Sequence, residues 1–487
     1  KHALKGDRRL CIAPWSGQMA SHTTVAPAEL VQTLKKARVS AANDQPWYVW
    51  GAGHAELESA EVASIGVINV AVWVEDSGGE ARATGAPRGI TCGISYLDHM
   101  VDQLTAHAQL RVSVRTLVAG RAVEPRSNEL AAEGADQVLV RLVGEALGSA
   151  LKQMLLSGPA ANSNLDVARH FFFCAPLDEA FTEVQLGFGQ DQGGAQVSLA
   201  PYGVYPKAGR KHIGSFRTAL TSDFFTHLSG ALGCRLVARK VRGENAHHIV
   251  EATFKSFARC LRKAMDDFCS FDAAAHSVVL EKPRSAQKKR ATKETSIDVK
   301  LDLDPKPKGA QGNISTGIAT LDALFRDIEA ASGVCLQAMC SGDLWIDEHH
   351  SAEDVAITVG KALAEALGDK GGVARMGCAK GQCNNAEVLC VMDLSNRPCL
   401  CSDLRFDEEM VGDLSVEMIC HCFESLVTSA LMTVHLVQET TGSEKEPCAG
   451  DLATAAARAL GAALGHCIAV DPRRAGAVSS SKGTLSK

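Results

Sequence analysis

The sequence predicts an α+β fold built as two tandem copies, each with helices packed on one face of a sheet. Three observations carry this reading. The length, 487 residues, exceeds what one hydrophobic core usually holds. A Pro-containing, strongly basic run at 281–290 (EKPRSAQKKR) separates two apolar-periodic regions and reads as a solvated linker. On either side of it the same order of elements recurs, and internal repetition decides an architecture before any local reading does.

In chain order, residues 1–59 scatter Pro, Ser and Trp without a motif and form an unassigned N-terminal extension. The first copy, 60–280, opens with an alternating apolar strand at 63–71 (ASIGVINVA), then a Gly-containing turn and a helix start at 93–104 (GISYLDHMVDQL). The second copy, 291–487, repeats this with TSIDVKLDL at 295–303 and GIATLDALFRDI at 317–328. Later landmarks keep the order: GEALGSAL at 144–151 is answered by GKALAEAL at 360–367, and FARCL at 257–261 by AARAL at 456–460. Short strands alternating with helices of 3.6 spacing give the α+β arrangement in each copy.

Composition narrows the function. An apolar share of 46% supports real cores, and Lys+Arg 50 against Asp+Glu 56 gives a net charge of -6, no footprint for nucleic acid or an anionic membrane. The expected partner is a small molecule. No stretch reaches the roughly eighteen apolar residues of a membrane helix, and no apolar signal core follows Lys1. Seventeen scattered cysteines, an odd number in a large chain, read as reduced thiols, which points to a reducing compartment, cytoplasmic or plastid.

The sharpest motif is His-His-x-x-Glu, present twice: His247, His248 and Glu251 in NAHHIVEATFK, and His349, His350 and Glu353 in DEHHSAEDVAI. Both are expected at helix starts. On a helix, His349 and Glu353 share a face, whereas His350 is turned about 100° from His349 and can address a second ion. Imidazole and carboxylate donors without thiolate suit manganese, iron or zinc, and two such clusters suit a dinuclear site. The alternative for each motif is a capped helix with surface histidines. Cys420 and Cys422 flank His421, and Cys399 lies near Cys401, but these spacings differ from paired Cys-x-x-Cys and read as small core thiols. His107, about two turns past His99, reads as a helix-terminal polar residue.

With GDLWIDEHHSAEDVAI at 342–357, DLSNRPCL at 393–400 and SSKGTL at 480–485, and with YLDHMVDQL, PLDEA and GENAHHIVEATFK in the first copy, the chain from about residue 60 onward resembles the imidazoleglycerol-phosphate dehydratases. That family has one domain of this repeat's size, itself an internal duplication with one His-His-x-x-Glu per half. The resemblance therefore implies two whole domains here, each departing from the pattern differently. In the first copy one His-His-x-x-Glu falls on Glu133, Gly134 and Gln137; in the second the other falls on Glu446, Pro447 and Gly450, the LDHM histidine becomes Ala323, and the acidic pair of PLDEA becomes Asn384 and Asn385.

What survives is complementary. The resemblance implies two manganese ions whose ligands come from His99, His247, His248 and Glu251 of the first copy and His349, His350, Glu353 and His435 of the second, drawn together across subunit interfaces. His435 matches the family's Leu-His only with a one-residue insertion, and Val237 stands there in the first copy. For the substrate phosphate the resemblance implies Arg375, Arg397, Ser480, Ser481 and Lys482 from the second copy, with Gln103, Arg169 and Lys255 from the first, where Asp191 stands opposite Arg397. Glu294 takes the position of the family's acid/base glutamate, facing Val62 in the first copy. The implied reaction is dehydration of D-erythro-imidazole glycerol phosphate to imidazole acetol phosphate in histidine biosynthesis. The implied assembly is a homo-oligomer of about twelve chains forming a 24-domain shell. Two rival readings stand beside it: an inactive scaffold or regulatory subunit of such an assembly, against which each of the eight ligand positions survives in one copy, and a metal-dependent lyase or hydrolase acting on another imidazole or phosphate compound.

Overall fold

In the computed structural model, residues 52–59, 65–76, 89–157, 168–189, 194–268, 283–440, 446–474, 477–480 and 485 are described. All belong to a unit spanning Trp47–Lys487. Four times over, the chain runs strand, strand, short strand, helix, strand, helix. The first quarter is β1 (Ala52–Glu58), β2 (Ile68–Asp76), β3 (Ile90–Thr91), α1 (Ser95–Ala108), β4 (Leu110–Val118) and α2 (Ala135–Ser157). The second is β5 (Arg169–Leu177), β6 (Ala180–Phe188), β7 (Ala195–Ser198), α3 (Leu220–Leu232), β8 (Arg235–Arg242) and α4 (Ala246–Phe268). The third is β9 (Ser285–Ala291), β10 (Thr295–Asp302), β11 (Ile314–Ser315), α5 (Ala319–Ser332), β12 (Cys335–Gly342) and α6 (His349–Leu367). The fourth is β13 (Met376–Cys383), β14 (Ala386–Asp393), β15 (Cys399–Ser402), α7 (Val416–Ser429), β16 (Thr433–Gln438) and α8 (Ala449–Ile468).

Each quarter folds into one sheet with the order first, second, fourth, third, the short third strand parallel to the fourth and the other main pairs antiparallel. The expected α+β class and tandem arrangement hold, and the duplication within each copy is explicit. Two boundaries move. The basic run at 281–290 is no linker over its second half: Ser285–Ala291 is the edge strand β9, paired with β10 from Ser285↔Asp302 to Ala291↔Ser296. Its consecutive Lys288, Lys289 and Arg290 suit a solvated edge, where charge blunts pairing with other chains. At the other end, β1 lies inside the supposed extension, in register with β2. The N-terminal copy therefore starts before residue 60.

Side-chain alternation explains the layering. In β10, Thr295, Ile297, Val299 and Leu301 point inward while Ser296 and Lys300 are exposed, as a sheet with one wet face requires. In β6 and β14 the alternation disappears and nearly every residue is buried. These are the second sheets of the two copies, and they meet: Met376, Cys378, Leu389 and Val391 join the N-terminal core. Arg242 ties the same junction, donating to the Cys401 carbonyl at 2.7 Å and the Leu436 carbonyl at 2.9 Å.

Helices pair across quarters, α1 with α4, α2 with α3, α5 with α8 and α6 with α7. Two glycines set how close they come. A Cβ on Gly144 of α2 would sit 2.8 Å from the Phe224 carbonyl, and one on Gly360 of α6 would sit 2.7 Å from the Leu426 carbonyl. Only glycine lets these backbones touch. Two of the four helix crossings carry the site.

Candidate metal centres and a cationic pocket

The first cluster sits at the α1/α4 crossing. Asn245 accepts the His247 N–H at 2.9 Å and so starts α4 at the motif. One turn later Glu251 lies beneath His247, with its Oε2 3.0 Å from His247 Nε2 and 3.3 Å from Nε2 of His99, which α1 brings in. Lys255, the next turn of α4, places its Nζ 2.8 Å from Glu251 Oε1. Burial alone would raise the Glu251 carboxyl, but hydrogen bonds from His247 and His99 and the charge of Lys255 outweigh it and hold the group far below the usual carboxylate range. The carboxylate is thus kept ionised, ready to accept.

The second cluster sits at the α6/α7 crossing. Asp347 accepts the His349 N–H at 3.0 Å, starting α6 as Asn245 starts α4. Glu353 lies 3.5 Å from His349 Nε2 through one oxygen and 3.4 Å from His421 Nε2 through the other. His99, His247 and Glu251 have candidate ligand atoms all within 4.8 Å of one another, as do His349, Glu353 and His421. Two imidazoles and one carboxylate are a donor set that fits manganese, iron or zinc with positions left open.

The second histidine of each motif is turned away from its own cluster, as the helical offset requires. His248 Nδ1 lies 2.6 Å from Glu179, and His350 Nδ1 lies 3.0 Å from Asp343. His435 does not join a cluster. It is fully buried, its Nε2 2.9 Å from the Asp178 carbonyl of the other copy and its ring against Phe181. Burial lowers its pKa to about 4. His421, set aside in the sequence beside its cysteines, takes the third place instead. The fourfold repeat was the signal that could have found it: α7 faces α6 as α1 faces α4, so a histidine on α7 answers His99 on α1.

A cationic pocket adjoins the first cluster where the copies meet. Lys255 and Arg375 are both about 4% exposed. Arg375 forms a bidentate pair with Asp393, at 2.7 and 2.9 Å, and donates to the Ser479 carbonyl. Buried His107 faces the same group: burial first, then the charges of Lys255, Arg375, Arg474 and Arg259, push its pKa well down. It is a pocket residue rather than a mere helix terminus. The polar side-chain atoms His107 Nδ1, Gln103 Oε1, Arg474 Nε and Nη2, and Ser479 Oγ are buried without a hydrogen-bond partner among the described residues. Gln103 donates to the His99 carbonyl at 3.2 Å. These unmatched polar atoms lie beside Lys255, Arg375 and Arg474, which are paired with Glu251, Asp393 and Asp471, and the group is a candidate anion site.

The remaining expected substrate residues are dispersed. Arg397 pairs with Asp178 of the other copy at 2.6 Å, Arg169 pairs with Asp267 at 2.7 Å, and exposed Glu294 precedes β10. Ser480 follows Ser479, with its N–H on the Val478 carbonyl. Ser481, Lys482 and Asp191 lie outside the described residues. No described helix is long and apolar enough to cross a membrane.

Two helix crossings with His and Glu donors, one of them beside buried Lys255 and Arg375, form the candidate site of this α+β protein. A model of the imidazoleglycerol-phosphate dehydratase family matches residues 92–261 and 316–464, more than half of the chain, and the chain belongs to that family. Membership makes it a dehydratase of the hydro-lyase class, associated with histidine biosynthesis. The imidazoleglycerol-phosphate dehydratase of Acidithiobacillus ferrooxidans is 39% identical over 203 residues, 42% of this chain and 98% of its own length. That of Microcystis aeruginosa is 37% identical over 204 residues, 42% of this chain and 93% of its own. A solved structure of the enzyme from Pyrococcus furiosus shares 28% identity, covering 41% of this chain and all of that one, with a TM-score of 0.34.

Proposed function

We propose that the chain dehydrates D-erythro-imidazole glycerol phosphate to imidazole acetol phosphate at a dimanganese site assembled from both copies. The observation that carries this is complementary survival: one three-donor cluster remains in each copy, at crossings whose counterparts in the other copy have lost their donors. His99, His247 and Glu251 would hold one ion and His349, Glu353 and His421 the other. His248 and His350, turned away from these clusters, would supply a cluster of a neighbouring chain in a homo-oligomer, with about twelve chains for a 24-domain shell.

Manganese bound there would supply Lewis-acid stabilisation of the substrate's imidazole in its electron-rich form. The chain's own residues do the rest. Lys255, His107, Arg375 and Arg474 present cations and donors to a phosphate, with Ser480, Ser481, Lys482 and Arg397 as further candidates from the second copy; Gln103 lines the pocket. Anchoring the phosphate fixes the carbon chain relative to the ring, so that the departing hydroxyl and the proton to be removed meet their catalytic groups in one geometry. Glu294, on an exposed strand start near His350, would carry the proton.

The test is dehydration of imidazole glycerol phosphate by the purified chain with and without manganese, alongside His349→Ala and His247→Ala. Manganese-dependent activity lost in both variants is the expected result, because each removes a ligand from a different copy. An intact, metal-loaded assembly without activity would instead support the scaffold reading.

A further inference from the structure

Outside these sites the strongest chemical feature is a pair of thiols. Cys399 and Cys401 are the first and third residues of β15, so their side chains share one face of the strand, and their sulfurs lie 3.8 Å apart. Neither is a core residue, contrary to the sequence reading: both are half-buried. β15 is an edge strand, paired only with β16 among the described residues, so it can pucker without breaking a second ladder. The N-terminal copy contributes Arg242, whose guanidinium donates to the Cys401 carbonyl. The Cys399 hydrogen bond, opposed by burial and helped by Arg242, brings the Cys401 thiol down to about 7, while its bond to Cys401 and burial push Cys399 up. A thiolate therefore faces a thiol on a half-buried edge, with Arg242 favouring the charged form against the nearby carboxylates of Glu179 and Glu244, and a thiolate within reach of a second sulfur is what makes cysteine reactive.

We propose that Cys399 and Cys401 form a redox-active vicinal dithiol that closes to a disulfide, with a peroxide as the oxidant. The Cys401 thiolate attacks one peroxide oxygen, the O–O bond breaks, and a sulfenic acid forms as the other oxygen leaves, protonated, as water. The Cys399 sulfur then attacks that sulfenic sulfur. The S–S bond forms, the S–O bond breaks, and the second oxygen leaves as water with the Cys399 proton. Two thiols and one hydrogen peroxide thus give one disulfide and two waters. Closing requires the sulfurs to approach to about 2.05 Å, which draws in the strand just after Arg397. That residue is fixed from the same edge, its carbonyl accepting from Ser395 and Thr433 at 2.9 Å each. Oxidation therefore acts on the Arg397–Asp178 contact between the copies.

The full-length protein is treated with hydrogen peroxide, alkylated, digested and mapped by fragment mass spectrometry, a readout independent of catalysis. Peptides spanning both positions should lose alkylation at Cys399 and Cys401, weigh two hydrogens less than the free dithiol, and recover fully with dithiothreitol. In Cys399→Ser, Cys401 should instead be trapped by dimedone as the sulfenic acid, with no disulfide. Full alkylation of both thiols after peroxide, pairing of either with a different cysteine, or an unreactive Cys401 in Cys399→Ser would each overturn the proposal.

Discussion

The α1/α4 crossing and its counterpart α5/α8 share a backbone and almost nothing else. In the first, His99, Gln103, His107, Lys255 and Arg259 face a cluster and a cationic pocket. At matching positions of the second stand Ala323, Asp327, Ala331, Thr454 and Arg458, and the motif itself falls on Glu446, Pro447 and Gly450, around the start of α8. There Arg458 pairs with Asp327 at 3.0 Å and donates to the Gln382 carbonyl at 2.9 Å. The helices still touch, because a Cβ on Gly461 would lie 2.6 Å from the Ile328 carbonyl. Close packing is supplied by glycines and apolar residues, and the polar donors are additions to it. Once a partner copy carries the chemistry, those donors can be lost while the crossing stays.

The sharpest way to break this comparison is to remove the carboxylate from the intact crossing. Glu251→Gln keeps the shape of the side chain but removes the anion that His247, His99 and Lys255 surround. Activity should fall on the order of a thousandfold, since a metal-based stabilisation of several kcal/mol depends on it. Manganese bound per chain, measured by elemental analysis, should fall with it. Unchanged metal content and activity would mean that the α1/α4 cluster is as idle as α5/α8.

Much of this was legible in the sequence. The order of elements was, because apolar alternation and helical spacing survive in all four quarters. The motif helices were too, since a short polar residue precedes each, Asn245 and Asp347, and accepts the N–H two residues on. What escaped was contact across the chain. His421 was hidden between Cys420 and Cys422, which read as core thiols, and only the crossing of α7 with α6 brings it to His349 and Glu353. The extension and the linker hid β1 and β9, since an edge strand rich in charge or small residues carries a weak apolar signal. That Lys255 and Arg375 share a pocket depends on how two sheets stack, which no local pattern records.

His435 sharpens the contrast between a ligand and a buttress. Its folded pKa, about 4, lies below the ordinary 6.5, so the neutral form belongs to the native state and the unfolded chain binds a proton first as pH falls. Its contribution to stability is therefore whole above pH 6.5 and lost progressively toward pH 4, by about 3 kcal/mol across the window. His435→Gln, which can still donate to the Asp178 carbonyl, should flatten that part of the stability curve in denaturant titrations at stepped pH while leaving metal content unchanged. Loss of a manganese ion would make it a ligand after all.

The smallest effect belongs to the silent crossing. Arg458 and Asp327 side chains are 45% and 26% exposed, so their pair is screened and carries little net energy. Arg458→Ala should cost under about 1 kcal/mol of stability and leave kcat/KM unchanged. Arg259, its counterpart, lies over the Phe173 ring with its charge directed at buried His107, so Arg259→Ala should raise KM for the phosphorylated substrate. If the two substitutions behave alike in steady-state assays, the cationic pocket is not what separates the crossings, and the difference between them rests on the histidines and Glu251 alone.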